Sequence, residues 1–209
     1  MNKGSMERGI KLYQSGKYSQ AIEELLAVEE EPSENPSLAY YLGLAYTKLE
    51  NYEEALLYLE QAITAGVEGI QLYQTRLLLA YVYTITRRYK LAQFELEQLS
   101  KDGYESTQMY GIFGYIFYKQ KMLSESIEQL EKAIELDPEN TNILNSLGFV
   151  LAEKGERLEE ALQYCKKAVS RKPKNPAYLD SLGWVCYKLK RNDEARRYLR
   201  QALDAASGN

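Results

Sequence analysis

Apolar residues recur along this chain at three- and four-residue steps, and no stretch of four or more positions alternates convincingly between apolar and polar. That periodicity belongs to one face of a helix, and it predicts helices without any sheet. A longer period overlies it. Small residues stand at Gly9, Gly43, Ala80, Gly114, Gly148 and Gly183, at spacings of 34, 37, 34, 34 and 35 residues. Each is followed three places on by an aromatic or large apolar residue, a place taken by Cys186 in the last unit. A second small column runs Ala21, Ala55, Ala92, Ser126, Ala161 and Ala195, and a third, small in most units, runs Val28, Ala62, Leu99, Ala133, Ala168 and Ala202. Large apolar positions lie between them: Leu42, Leu79, Phe113, Leu147 and Leu182, and Leu25, Leu59, Leu96, Leu130 and Leu199.

A small residue in the middle of each of two successive helices lets the backbones approach, and the large residues fill the space between pairs. The prediction is therefore two helices per period. Turn residues fall where successive helices should be joined: Ser15-Gly16, Glu50-Asn51, Asp137-Pro138-Glu139-Asn140, Lys154-Gly155 and Pro173-Lys174-Asn175-Pro176. Six units follow, at roughly 2–35, 36–69, 73–106, 107–140, 141–175 and 176–209. The third departs most. Arg76 stands where a large apolar residue is usual, and three extra residues precede it around Gly66–Leu72.

The segments Tyr41-Leu42-Gly43-Leu44-Ala45-Tyr46…Tyr52-Glu53-Glu54-Ala55 and Ser181-Leu182-Gly183-Trp184…Glu194-Ala195 resemble the tetratricopeptide repeat, and the likeness spans essentially the whole chain. The last two units, with Leu144-Asn145-Ser146-Leu147-Gly148 and Leu179-Asp180-Ser181-Leu182-Gly183-Trp184, resemble the closing pair of many bacterial members. The resemblance implies an all-α fold: a right-handed superhelical solenoid of six antiparallel helix pairs forming a single domain over 1–209, with concave and convex surfaces. It implies an adaptor or scaffold that binds protein. The last helix supplies a polar outer face in Glu194, Arg197, Arg200, Gln201 and Asp204, and the separate capping helix that the family often adds is not within this sequence.

In this family the exposed face of each first helix lines the groove. Three rows of residues share that face across the units. One reads Ile10, Leu44, Tyr81, Tyr115, Phe149, Trp184; the second Tyr13, Thr47, Thr84, Tyr118, Ala152, Tyr187; the third Met6, Tyr40, Leu77, Gly111, Asn145, Asp180. The expected partner-binding groove comprises Tyr40, Tyr81, Gly111, Tyr115, Tyr118, Asn142, Asn145, Phe149, Asp180, Trp184 and Tyr187. Tyrosine and tryptophan offer apolar area with a polar handle, which suits a peptide-binding surface. The rival reading packs the same rings between helices. Gly111 leaves either room for a partner or a close helix contact, and one of these is required because glycine is unfavourable inside a helix. One subset of the family grips a C-terminal carboxylate with Lys, Asn, Asn, Lys and Arg on three successive repeats. Met6, Ile10, Tyr41, Gln74 and Leu78 occupy those places here, so acidic chaperone-type tails are not expected.

Composition narrows the chemistry. The 209 residues contain no histidine, which removes the commonest general base and metal ligand. There is no glycine-rich phosphate loop and no serine-centred nucleophile turn, so no enzyme, cofactor, metal or small-molecule substrate is expected. Cys165 and Cys186 fall on core columns and read as small buried thiols; a disulfide or a reactive pair are the alternatives. No run of apolar residues is long enough to cross a membrane. A net charge of −4, and few Lys or Arg in the groove, argue against nucleic acid. That total hides a segregation: residues 1–69 carry net −7, 70–163 net −4 and 164–209 net +7. Opposite ends could steer a partner or join copies head to tail, so a self-assembling scaffold is the second reading, with a homo-oligomer its consequence. No secretion signal is visible, and Gly4-Ser5-Met6 is as compatible with a cloning junction as with native sequence. The unpaired thiols lean cytoplasmic, whereas a removed signal would lean towards the periplasm or envelope.

Overall fold

The computed structural model describes residues 2–208, with side chains from Gly4 onward. Met1 and Asn209, the latter the expected end of the last repeat, lie outside the described residues. Each expected repeat is one pair of helices: α1 (Asn2–Gln14) with α2 (Tyr18–Leu26), α3 (Pro36–Lys48) with α4 (Tyr52–Thr64), α5 (Gly69–Ile85) with α6 (Tyr89–Lys101), α7 (Thr107–Lys119) with α8 (Leu123–Leu136), α9 (Thr141–Lys154) with α10 (Leu158–Arg171), and α11 (Pro176–Lys188) with α12 (Asn192–Ser207). Among the described residues there is no strand. None of these helices is long and apolar enough to cross a membrane.

The helices gather into two compact units, Met1–Tyr104 with α1–α6 and Glu105–Asn209 with α7–α12. Within the first, α2 packs on α3 and α4 on α5, and the first helices touch as α1–α3 and α3–α5. Within the second, α8 packs on α9 and α10 on α11, with α7–α9 and α9–α11 in contact.

Close approach within a pair rests on one recurring contact. A Cβ built on Gly9 would lie 2.7 Å from Leu25 Cγ, on Gly43 2.6 Å from Leu59, on Gly114 2.7 Å from Leu130 and on Gly183 2.8 Å from Leu199. In the fifth pair the same site on Gly148 meets Cys165 Sγ at 2.6 Å and the Ala161 carbonyl oxygen at 2.8 Å. The first small column is thus a socket, and the large column from Leu25 to Leu199 is the knob that fills it. The second and third columns, Ala21 to Ala195 and Val28 to Ala202, are buried.

First and second helices begin differently. Asn35, Ser106, Asn140 and Asn175 cap α3, α7, α9 and α11, each side chain accepting the backbone N–H three residues on. No second helix has a side-chain cap. Five of the six, all but α10, follow a tight turn that places one residue at positive φ: Gly16, Glu50, Arg87, Lys121 and Lys190, at 57° to 75°. The fifth pair does so with Gly155 and again with Arg157.

The third pair absorbs its irregularities locally. The extra residues before it lengthen α5, which begins at Gly69 and runs 17 residues. Arg76 is half-buried because α6 offers it a partner, with Nη1 donating to Glu95 Oε2 at 2.7 Å. Burial raises the Glu95 carboxyl above its ordinary value, against the opposing pull of Arg76.

Candidate functional site

In the second unit α7, α9 and α11 present one face each to a shared hollow of about 310 Å³. Gly111, Gly114, Tyr115 and Tyr118 line it from α7; Asn145, Ser146, Phe149 and Val150 from α9; Ala177, Asp180 and Ser181 from α11; Leu130 of α8 closes the floor. The α7 sequence explains why it is open. Gly114 brings α7 down onto Leu130, and Gly111 brings it against Ile143 of α9, whose Cδ1 would lie 2.8 Å from an added Cβ. The close helix contact is thus one reason for Gly111, which also borders the hollow.

The rings around the hollow remain accessible. Tyr115 is exposed, and Tyr118 and Phe149 are half-buried and meet edge to face at 5.6 Å between centroids. On α11, Trp184 and Tyr187 stack at 5.5 Å beside the hollow without lining it. Two polar atoms on these helices are buried without a partner: Asn145 Oδ1, of a residue that lines the hollow, and Trp184 Nε1 on α11. Ser181 turns its hydroxyl to the Ala177 carbonyl and is satisfied within its own helix.

Six residues of the expected groove therefore share this hollow: Gly111, Tyr115, Tyr118, Asn145, Phe149 and Asp180. The others lie elsewhere. Asn142 is exposed near the start of α9, where its Oδ1 accepts the hydroxyl of the buried Tyr178. Tyr81 belongs to the first unit. There it is exposed and lines a separate hollow of about 400 Å³ with Tyr13, Leu44, Thr47, Lys48, Glu50, Tyr52 and Leu78. Tyr40 is a correction. It is only 6% exposed, packs with Ala39, Ala62 and Val67, and donates its hydroxyl to Gln74 Oε1 at 2.6 Å. A long side chain at that place reaches the neighbouring first helix, whereas Gly111, Asn145 and Asp180 are too short to do so. Thr84 and Ala152, read on the same face, are also buried.

The lysines at the ends of α7 and α11 lie off the rows of the expected groove yet stand against its rings. Lys119 Nζ stands 5.3 Å from the Tyr115 ring centroid and 5.8 Å from that of Tyr118; Lys121 stands 5.7 Å from Tyr118. Lys188 lies 5.1 Å from the Trp184 ring and Lys190 5.8 Å from Tyr187. The signal was present, as Tyr118-Lys119-Gln120-Lys121 and Tyr187-Lys188-Leu189-Lys190.

The two thiols lie away from this face. Cys165 and Cys186 are free and buried. Burial pushes the Cys165 thiol up to about 12 and raises that of Cys186 as well, so neither supplies a thiolate near neutrality. No group of three or more His, Cys, Asp or Glu side chains among the described residues could hold a metal ion.

Sequence models of the tetratricopeptide repeat match residues 6–67, 114–155 and 139–207, about three quarters of the chain. The chain belongs to the tetratricopeptide repeat family. No curated protein matches it in sequence. Among solved structures, this tetratricopeptide repeat protein is similar to YrrB, described as having an unusual peptide-binding site, at 20% identity over 90% of this chain and 91% of that one, TM-score 0.64. It is also similar to MamA from Desulfovibrio magneticus RS-1 (21% identity, 82% and 95% covered, TM-score 0.70) and to PilF of Pseudomonas aeruginosa (23%, 84% and 78%, 0.66). At these identities the likeness is one of fold.

Proposed function

We propose that this tetratricopeptide repeat protein is a non-enzymatic adaptor that holds a segment of another protein on the α7–α9–α11 face. One observation carries the reading: the hollow joins accessible aromatic rings to an unpartnered buried acceptor, Asn145 Oδ1. A buried polar atom without a partner is costly, and a bound donor would relieve that cost. Apolar walls with a few convergent polar groups make a binding site, and the hollow holds no histidine and no cysteine to suggest chemistry instead. The peptide-binding site described for YrrB lends the reading support by analogy of fold alone.

A photo-crosslinking residue placed at Tyr115 or Tyr187 should capture a discrete protein in the native host. The same residue at Gln163, exposed on α10, should not. Tyr115→Ala with Tyr118→Ala should abolish capture, since truncated anchors of this kind cost about 2 kcal/mol or more of binding. Equal capture from Gln163 would count against the groove.

The segregated charge favours a second reading, a scaffold that assembles through opposite ends. Residues 1–69 carry net −7 and 164–209 net +7, and Arg196, Arg197 and Arg200 are exposed on α12.

A further inference from the structure

The α7–α9–α11 face is electrically polar along its helices. At one end lie two acceptors. Asp180 is exposed and has no ion pair among the described residues, and Asn145 Oδ1 is buried without a donor. At the other end stand Lys119, Lys121, Lys188 and Lys190, none of them ion-paired among the described residues. The end of α9 between them adds Glu153 and the paired Lys154 and Glu156, at 2.9 Å, so the rim stays net positive. At the acceptor end the nearby cations are engaged or turned away. Glu139 holds Lys167 and Arg171, Lys172 lies over the Tyr178 ring, and Lys174 lines a separate hollow against α12. Aromatic rings fill the span between the two ends.

The repetition sharpens the pattern. The Tyr118-Lys119-Gln120-Lys121 segment and its counterpart from Tyr187 to Lys190 put the same two cations over the same two ring positions on α7 and α11. An ammonium over a ring still has N–H groups free for a carboxylate. Asp180 and Lys188 are eight residues apart on one helix, roughly 12 Å at 1.5 Å per residue. An extended peptide covers that distance in about four residues.

From this we infer the chemistry of the occupant: an extended segment with a basic side chain at Asp180 and Asn145, apolar residues against Tyr115, Phe149 and Trp184, and an acidic side chain about four residues away at the lysines. The inference rests on the groove reading above. The aliphatic stem of a lysine or arginine suits the hollow, its N–H groups reach the two acceptors, and the acidic residue meets uncompensated ammonium groups. The lysines used here are not the carboxylate-gripping set found on other family members, whose places Met6, Ile10, Tyr41, Gln74 and Leu78 occupy in this chain.

Selection of a phage-displayed random octapeptide library on the full chain tests this. Enriched peptides should pair a basic with an acidic residue three to five positions apart. Asp180→Lys should reverse the preference at the basic position, and Asp180→Asn should weaken a selected peptide at least about tenfold, as loss of a charged hydrogen bond does. Lys188→Glu with Lys190→Glu should reverse the preference at the acidic position. Enrichment that depends on Tyr115 and Tyr118 yet shows no such spacing, or ignores Asp180→Lys, overturns this inference and leaves the groove. Enrichment indifferent to Tyr115→Ala with Tyr118→Ala, or none at all, overturns the groove itself.

Discussion

At the scale of single residues, the glycines separate into kinds that sequence treats alike. Gly148 is hemmed by backbone, with the Ala161 carbonyl 2.8 Å from an added Cβ, whereas Gly111 meets only the tip of Ile143. Alanine gains about 1 kcal/mol of helix propensity at either place. Gly111→Ala should therefore stay within about 1 kcal/mol of the parent, and Gly148→Ala should lose about 2 kcal/mol through overpacking. Urea titrations of the two variants check this, and equal losses would refute the assigned contacts. The ionisable core gives a second prediction. Burial pushes Cys165, Tyr40, Tyr110 and Tyr164 up to about 12, with hydrogen bonds to Glu105 and Glu160 adding to the shift of Tyr110 and Tyr164. Between the ordinary values of 9 to 10 and about 12, the unfolded chain releases protons that the folded one keeps. The unfolded state then binds fewer protons, so stability falls as pH rises through that window and is full below it. Denaturation midpoints should be flat from pH 7 to 8.5 and drop steadily above pH 10. Both thiols should label slowly in the native state and quickly once unfolded.

Helices and turns carry their own ledger of strain. Glu50 and Arg87 sit at φ of 57° and 62° just before α4 and α6, where a Cβ costs roughly 1 kcal/mol or more and glycine costs little. Glu50→Gly and Arg87→Gly should each raise stability by about 0.5–1 kcal/mol, readable as a shift in the urea midpoint. Asn140→Ala and Asn175→Ala should each lose about 1 kcal/mol, because the side chain that satisfies the third N–H of α9 or α11 disappears. Asn51→Ala should cost less, since its side chain makes no such bond. Much of this scale was legible beforehand. The Asp-Pro and Asn-Pro punctuation at Asp137-Pro138 and Asn175-Pro176 marked the starts of α9 and α11, Gly16 and Gly155 marked the turns before α2 and α10, and the three-and-four spacing fixed helix against strand. The early start of α5 was not, because the extra residues Gly66–Leu72 carry no signal that tells a loop from another turn of helix.

For the whole molecule the question is association. The first unit carries 10 basic and 15 acidic side chains and the second 16 and 15, so charge alone could draw copies together at low salt. The groove reading expects a sedimentation coefficient that does not change with salt. Oligomers that form in dilute buffer, fade above about 0.3 M as the screening length shrinks, and vanish with Arg196→Glu, Arg197→Glu and Arg200→Glu would favour assembly instead. Because each helix pair contacts mainly its neighbours, residues 105–209 should fold alone and retain the hollow. Far-ultraviolet circular dichroism and a cooperative urea transition of that fragment check it.

The sequence by itself determined the periodicity, the six helix pairs and the small columns that turn out to be buried. These follow from spacing, because a 3.6-residue helix turns a linear repeat into a face, and a face into a packing register. Which residues share one face of the first helices followed from the same arithmetic. What became of each row member did not. Tyr40 and Tyr115 stand on the same face of their helices, yet Tyr40 crosses to Gln74 and is buried while Tyr115 stays at the surface. The difference lies in what the neighbouring helix presents, a contact between residues 34 apart, and no local pattern records it. The hollow has the same origin. It exists because Gly111 and Gly114 draw α7 inward while Asn145 and Asp180 are too short to fill the space, a balance of side-chain lengths on three helices that only the tertiary packing brings together.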